Sequence, residues 1–229
     1  MDLNIYQNST LIPLVHPDLL IRTLSAIEPE TTLTFSEFQS ALGIQSKSVA
    51  RTVINFLKRN DIGFYFNGTI KFSEIHRICA AKAAIRMGCD IEKVSKSLSW
   101  KDFEKLASEV LHSLGYRTRT NVRLSNPRIE IDVVGTSEDG FTIAVDCKHW
   151  KRNNISSISS FTQKQATRSE LLLKHDMSSS LVVPVLLTLH AESVSFVGKV
   201  PVVPIHQFRS FILDVKGLLQ DVYVATRQQ

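Results

Sequence analysis

Two neighbouring stretches, residues 128–135 and 141–148, with the turn Glu138-Asp139-Gly140 ahead of the second, constrain this chain more than any other part of it. Both read as β-strands, in which side chains alternate between faces. In the first, Ile129, Ile131 and Val133 fall on one face and Glu130, Asp132 and Val134 on the other. In the second, Asp146 and Lys148 share a face and Cys147 turns away. A hairpin pairing the two strands sets Asp132 beside Asp146 across one inter-strand spacing, roughly 5 Å. Like charges placed opposite one another destabilise a sheet. A divalent cation converts that penalty into a ligand set: two carboxylates, the Cys147 backbone carbonyl and waters suit octahedral Mg²⁺. The plainer alternative is a pair of surface acids with a lysine between sheet and solvent.

The triplet Asp146-Cys147-Lys148 carries little weight by itself. With 22 acids in 229 residues, roughly one acid-x-lysine triplet is expected by chance, and two occur. The other, Asp214-Val215-Lys216, falls in an expected helix, where residues two apart point about 200° apart and cannot share a site. Only the strand context distinguishes the first.

The segments around the hairpin alternate helix and strand. Ser99 with Asp102 three positions on predicts a capped helix running to Leu114 and closed by Gly115. A strand over 117–124 follows, then the hairpin, then a helix over 155–175. Strands over 181–187 and 200–204 precede a last helix over 206–219. Pro184 lacks a ladder donor, so the 181–187 strand is expected at an edge or a bulge.

Residues 18–72 follow a different pattern, with helices over 18–27, from Thr34 or Ser36 to Leu42, and over 46–60. The third carries Val49, Ala50, Val53 and Leu57 at helical spacing on one side, and Lys47, Arg51, Asn55 and Lys58 in a stripe on the other. GFYFNGTIKF then reads as a hairpin turning at Asn67-Gly68. Two helices, basic helix and hairpin is the order of a winged helix, whose third helix can enter a major groove. Used as a protein-contact or spacer module, the same pattern would leave DNA alone. Helices over 73–87 and 90–98 lead onward, and the expected division is 1–98 for the winged helix with linking helices and 99–229 for the α/β part.

Composition narrows the class. An apolar content of 43% supports a core, and 9 glycines exclude collagen-like repeats. No apolar run approaches the roughly 18 residues of a membrane span, and MDLNIYQNST lacks signal-peptide order. The expectation is an intracellular, cytoplasmic, nucleoid-associated protein. Three cysteines without CxxC spacing predict reduced thiols rather than disulfides or a zinc cluster. A net charge of +5 favours a polyanionic partner weakly. More informative are the runs: Arg117, Arg119, Arg123 and Arg128 stand with no acid between residues 116 and 129. Such runs are ordinary solvated surface unless they border a site.

FEKLASEVLHSLGY, EIDVVG and VDCKHWKR, in that order and at these separations, resemble the Mrr-like branch of the PD-(D/E)xK nucleases, a group that includes archaeal Holliday junction resolvases. The resemblance spans about half the chain, residues 100–213. It implies an αβββαβ core in an α/β (α+β) restriction-endonuclease-like domain, Mg²⁺ (or Mn²⁺ in its place) held by Asp132 and Asp146, and Lys148 positioning the attacking water. It implies 5′-phosphate products from a DNA endonuclease of restriction or repair and recombination type, and admits an N-terminal winged helix. Such families carry an acid on the first helix: Glu104 follows Phe103 eleven positions before Gly115 and is favoured over Glu109. Helix geometry sets Glu104 about 90° from the centre of the apolar face and Glu109 about 130° away on the other side. The family's proline does not directly precede Asp132; the nearest is Pro127.

On the 155–175 helix, Gln163, Lys164, Gln165 and Arg168 are candidates for phosphate contacts, against a plain amphipathic helix. His149 should face away from Lys148, and Lys151 and Arg152 extend the strand as further DNA contacts. The DNA partner, duplex or branched, would meet Lys47, Arg51, Asn55, Lys58, Lys151, Arg152, Lys164 and Arg168, and a homodimer would allow both strands to be cut. The rival reading is a non-catalytic DNA-binding regulator with a degenerate nuclease domain.

Overall fold

In the computed structural model, residues 15–149, 155–189 and 193–227 are described. Contacts divide the chain into two units, Met1–Cys89 and Asp90–Gln229.

The first unit begins with α1 (Pro17–Ala26), β1 (Thr32–Thr34) and α2 (Phe35–Ala41), and continues with α3 (Lys47–Arg59), β2 (Phe64–Phe66), β3 (Thr69–Lys71) and α4 (Glu74–Arg86). Thr34, rather than Ser36, caps α2, and with Glu37 it forms a reciprocal capping box. Ser46 caps α3, which buries Ala50, Val53, Ile54, Phe56 and Leu57. Val49, expected on that side, is 38% exposed, because its position is at the margin of the stripe that Ala50 and Val53 centre. The β2–β3 turn has positive φ at both Asn67 and Gly68, as a two-residue hairpin turn requires. β1 is a strand that sequence periodicity misses, since three residues cannot establish a period. It pairs with β3, and the small sheet runs β1-β3-β2.

The second unit contains α5 (Ile91–Lys96), α6 (Trp100–Ser113), β4 (Arg117–Ser125), β5 (Arg128–Thr136), β6 (Phe141–Lys148) and α7 (Ile155–His175). It continues through β7 (Leu181–Thr188), β8 (Ser195–Val197), β9 (Val200–Pro204), α8 (Ile205–Asp214), a 3₁₀ turn at Val215–Leu218 and β10 (Ala225–Thr226). From α6 to β7 the order is αβββαβ. Division at 98/99 would assign α5 to the first unit, but α5 packs on α8 and belongs to the second. The expected last helix to residue 219 ends at Asp214 and tightens to 3₁₀.

The described strands of this unit form one mixed sheet, ordered β4-β5-β6-β7-β9-β8, with β10 on β7. β4, β5 and β6 are antiparallel neighbours, and β6, β7 and β9 are parallel. One apolar cluster unites Phe103, Ala107 and Leu111 of α6 with Phe208 and Phe211 of α8 against Val133, Val145 and Val185. A second joins Leu172 and Leu173 of α7 to Ile131, Val134, Ala144 and Val182. The sheet is therefore covered on both faces, as parallel strands require.

Pro184 does not lie on an edge strand. β7 is interior, paired along its length with β6. Its other side pairs with β10 at Leu181 and Val182 and with β9 from Leu186 onward, so Pro184 occupies the interval between the two partners. A missing N–H is harmless there.

Candidate active site

The site forms where β5 and β6 part. Their ladder runs from Thr136↔Thr142 to Val133↔Val145. One step further in the same register, Asp132 stands across from Asp146. At that point a side chain replaces the ladder: the Cys147 N–H donates to Asp132 Oδ2 at 2.7 Å. β5 is also irregular on its other side. β4 pairs with it at Thr120↔Val133 and at Val122↔Ile131, and the intervening Asn121 has a φ of +52°. The strict alternation expected along β5 fails here, because Ile131 packs with the α7-side cluster while Val133 packs with the α6-side one. The pairing is interrupted at Asn121 without a change of register, since the pairs on either side keep the same offset.

β6 keeps its alternation. Val145 and Cys147 pack towards α6 and α8, whereas Ala144 packs towards α7. Asp146 therefore faces α7 and is 2% exposed. Arg168 of α7 donates to Asp146 Oδ1 at 2.8 Å. Lys148 Nζ lies 2.7 Å from Oδ2. Oδ2 is buried, and no donor is aligned with it as a hydrogen bond. The Lys148 ammonium also sits 4.5 Å from the centre of the Phe161 ring.

Glu104 enters from α6 and is 6% exposed. Burial, then the charges of Asp132, Glu130 and Asp146, push its carboxyl up to about 7, with Lys148 opposing them. Burial and then Asp146 raise Asp132 above the usual carboxylate range, against the Cys147 N–H, Lys148 and Arg168. Burial and the neighbouring carboxylates hold the Cys147 thiol well above its ordinary value. Cys147 is therefore not poised as a thiolate beside these carboxylates.

Asp132, Asp146, Lys148 and Glu104 lie close enough for their charges to act on one another, while Glu109 lies further along α6 and is not among the charges that act on Glu104 or Asp132. His149 points away, as expected: its ring meets Phe103 edge-on and Nε2 is 2.9 Å from the Ser95 carbonyl oxygen. Two expectations change. Arg168 is engaged with Asp146 rather than presented to solvent for phosphate. Gln165 is fully buried and donates to the Ala144 carbonyl, so it is not a phosphate contact. Lys164 and Gln163 are exposed, and Lys151 and Arg152 lie outside the described residues. The sequence reading missed Phe161 and Glu130, and the one available signal was that Glu130 shares a strand with Asp132.

Two carboxylates, one raised by burial and by the charge of the other and one with a buried oxygen beside the Lys148 ammonium, are oxygen donors of the kind a hard cation takes. Among the described residues, no group of three or more His, Cys, Asp or Glu side chains is arranged to hold a metal ion.

In the first unit, Lys47, Arg51, Asn55 and Lys58 are all exposed on α3. Arg51 lies over the Phe35 ring and Lys58 over the Tyr65 ring, at 5.9 and 4.6 Å. All three cysteines are free thiols. Among the described residues, no helix is long and apolar enough to cross a membrane.

A family model described as restriction endonuclease, that of the Mrr catalytic domain, matches residues 95–168. The match begins at the end of α5, contains Glu104, Asp132, Asp146 and Lys148, and ends at Arg168. It supports a nuclease of the restriction-endonuclease kind, and the mixed sheet fits that fold. No curated protein matches the chain significantly.

Proposed function

We propose that this protein is a Mg²⁺-dependent DNA endonuclease that hydrolyses phosphodiester bonds, with its first unit acting as a winged-helix targeting domain. The observation that carries the reading is the register: continued one step, the β5–β6 ladder sets Asp132 opposite Asp146, with Lys148 on the same face as Asp146. Asp132 and Asp146 would hold the Mg²⁺, with the Cys147 carbonyl as a third oxygen. When bound, the ion would supply Lewis-acid polarisation of a phosphate oxygen and a lowered pKa for a coordinated water.

Lys148 orients the attacking water and offsets the charge that develops at phosphorus. Its ammonium, 2.7 Å from Asp146 Oδ2 and 4.5 Å from the Phe161 ring, is placed to act by charge. Glu104, its carboxyl pushed up to about 7 by burial and the neighbouring carboxylates, can accept a proton from the site when it is in its ionised form. Arg168 keeps Asp146 aimed by its hydrogen bond.

The sheet order β1-β3-β2 beside three helices supports a winged helix, and the stripe on α3 supports DNA as its partner. One observation favours the second reading, a DNA-binding regulator with a retired nuclease domain: both oxygens of Asp146 already face cations. Incubating the protein with linear duplex, methylated duplex and four-way junction in Mg²⁺ or EDTA separates the two. Cleavage in Mg²⁺ that Asp146→Ala abolishes, with DNA affinity retained, is the expected result. Binding without cleavage of any substrate would favour the regulator.

A further inference from the structure

We infer that the two-stranded arm formed by residues 121–132 seats the phosphate backbone of the DNA beside the carboxylate site, through Arg123 and Arg128. The choice of polyanion rests on the nuclease reading; the arm itself rests on the sheet. The β4–β5 ladder continues past the site, from Val122↔Ile131 to Ser125↔Arg128, whereas the β5–β6 ladder ends at Val133↔Val145. Residues 128–132 of β5 therefore pair with β4 alone among the described strands, and Asp132 stands at the root of the arm. At about 3.4 Å per residue, Arg128 is roughly 14 Å from that root and Arg123, which pairs across from Glu130, roughly 7 Å. Successive phosphates of one DNA strand advance by about 3.4 Å along the helix axis, so the arm spans about four of them.

Its charges face the right way. Directly opposed residues of an antiparallel pair share a face, so Arg123 lies on the side of Glu130, whose charge reaches Glu104 in the site. The Arg123–Glu130 pair is long and exposed, with Nε to Oε2 and Nη2 to Oε1 both at 3.4 Å and side chains 70% and 44% exposed, so solvent screening leaves Arg123 weakly held. A phosphate can displace the carboxylate. Arg128, at the tip, is exposed and has no ion-pair or hydrogen-bond partner among the described residues. A guanidinium is the side chain best matched to two phosphate oxygens at once. Arg123 and Arg128 of the acid-free run thus flank the site, whereas Arg119 is occupied by Asp176.

The test is fluorescence anisotropy of labelled duplex on the full chain in EDTA, over a range of salt concentrations. With two phosphates no longer neutralised, the slope of log affinity against log salt should fall by about 1.8 in R123A/R128A. R123K/R128K, which keeps both charges, should retain the wild-type slope. A fall of less than about 0.9 in the alanine pair, or an equal fall in the lysine pair, would overturn the inference, the latter by tracing the loss to folding rather than charge. Because EDTA prevents metal-dependent cutting, this result stands apart from cleavage; a wild type that never cuts in Mg²⁺ sinks the nuclease reading alone.

Discussion

Glu104→Gln in the metal-free protein should remove a large pH dependence from the stability of the second unit. A carboxyl raised from 4.5 to about 7 binds a proton more tightly in the folded chain than in the unfolded one. Between those two values the folded state carries more protons, so stability is greatest at low pH and falls as pH rises through about 7. At 1.36 kcal/mol for each tenfold difference in proton affinity, the full loss is about 3 kcal/mol, of which about 2 kcal/mol falls between pH 5.5 and 8. Glutamine keeps the shape and neutrality of the protonated acid. It should therefore match the wild type below about pH 4 and exceed it by about 3 kcal/mol at pH 8. Urea unfolding in EDTA, followed by tryptophan fluorescence, isolates the effect, because both tryptophans, at positions 100 and 150, belong to the second unit. Profiles that run parallel from pH 5.5 to 8 would refute the crowded-carboxylate account of the site.

Replacing Lys47, Arg51 and Lys58 with alanine should weaken duplex binding and lower its salt slope by about 0.9 for each phosphate left without its cation, whereas an unchanged slope assigns that unit to protein contacts. Arg168→Met leaves Asp146 with a single cation, and should destabilise the metal-free chain by about 2 kcal/mol, discounted for the partly exposed guanidinium. A midpoint identical to the wild type's in urea unfolding would mean that the pair contributes nothing. Phe208→Ala empties a fully buried ring position between α8 and the sheet, at a cost of about 3–5 kcal/mol by the same assay, and a loss below 1 kcal/mol would contradict the packing described.

Local signals located most elements and the core of the site, because those signals act within a few residues. Caps such as Thr34 and Ser46, the Asn67-Gly68 turn and the apolar spacing of α6 and α7 depend on neighbours three or four positions away. Period-two alternation likewise held through β6, where it put Asp146 and Lys148 together and turned Cys147 aside. Strands of two or three residues, β1, β8 and β10, carry too few positions to show a period and exist because a partner strand accepts them.

What only the folded chain decided lies between elements distant in sequence. Residue types alone placed Arg168 with the phosphate contacts and Pro184 at an edge. Packing of α7 on the sheet brings Arg168 to Asp146, 22 positions away, because a carboxylate facing that helix cannot stay buried without a cation. Pro184 stands inside the sheet because β10 and β9 leave its nitrogen unclaimed. The break in alternation at Asp132 has the same origin, since it arises where β5 loses β6 as a partner and keeps β4. Sequence pattern specifies which face a residue prefers; the register and end points of three strands determine which charges meet there.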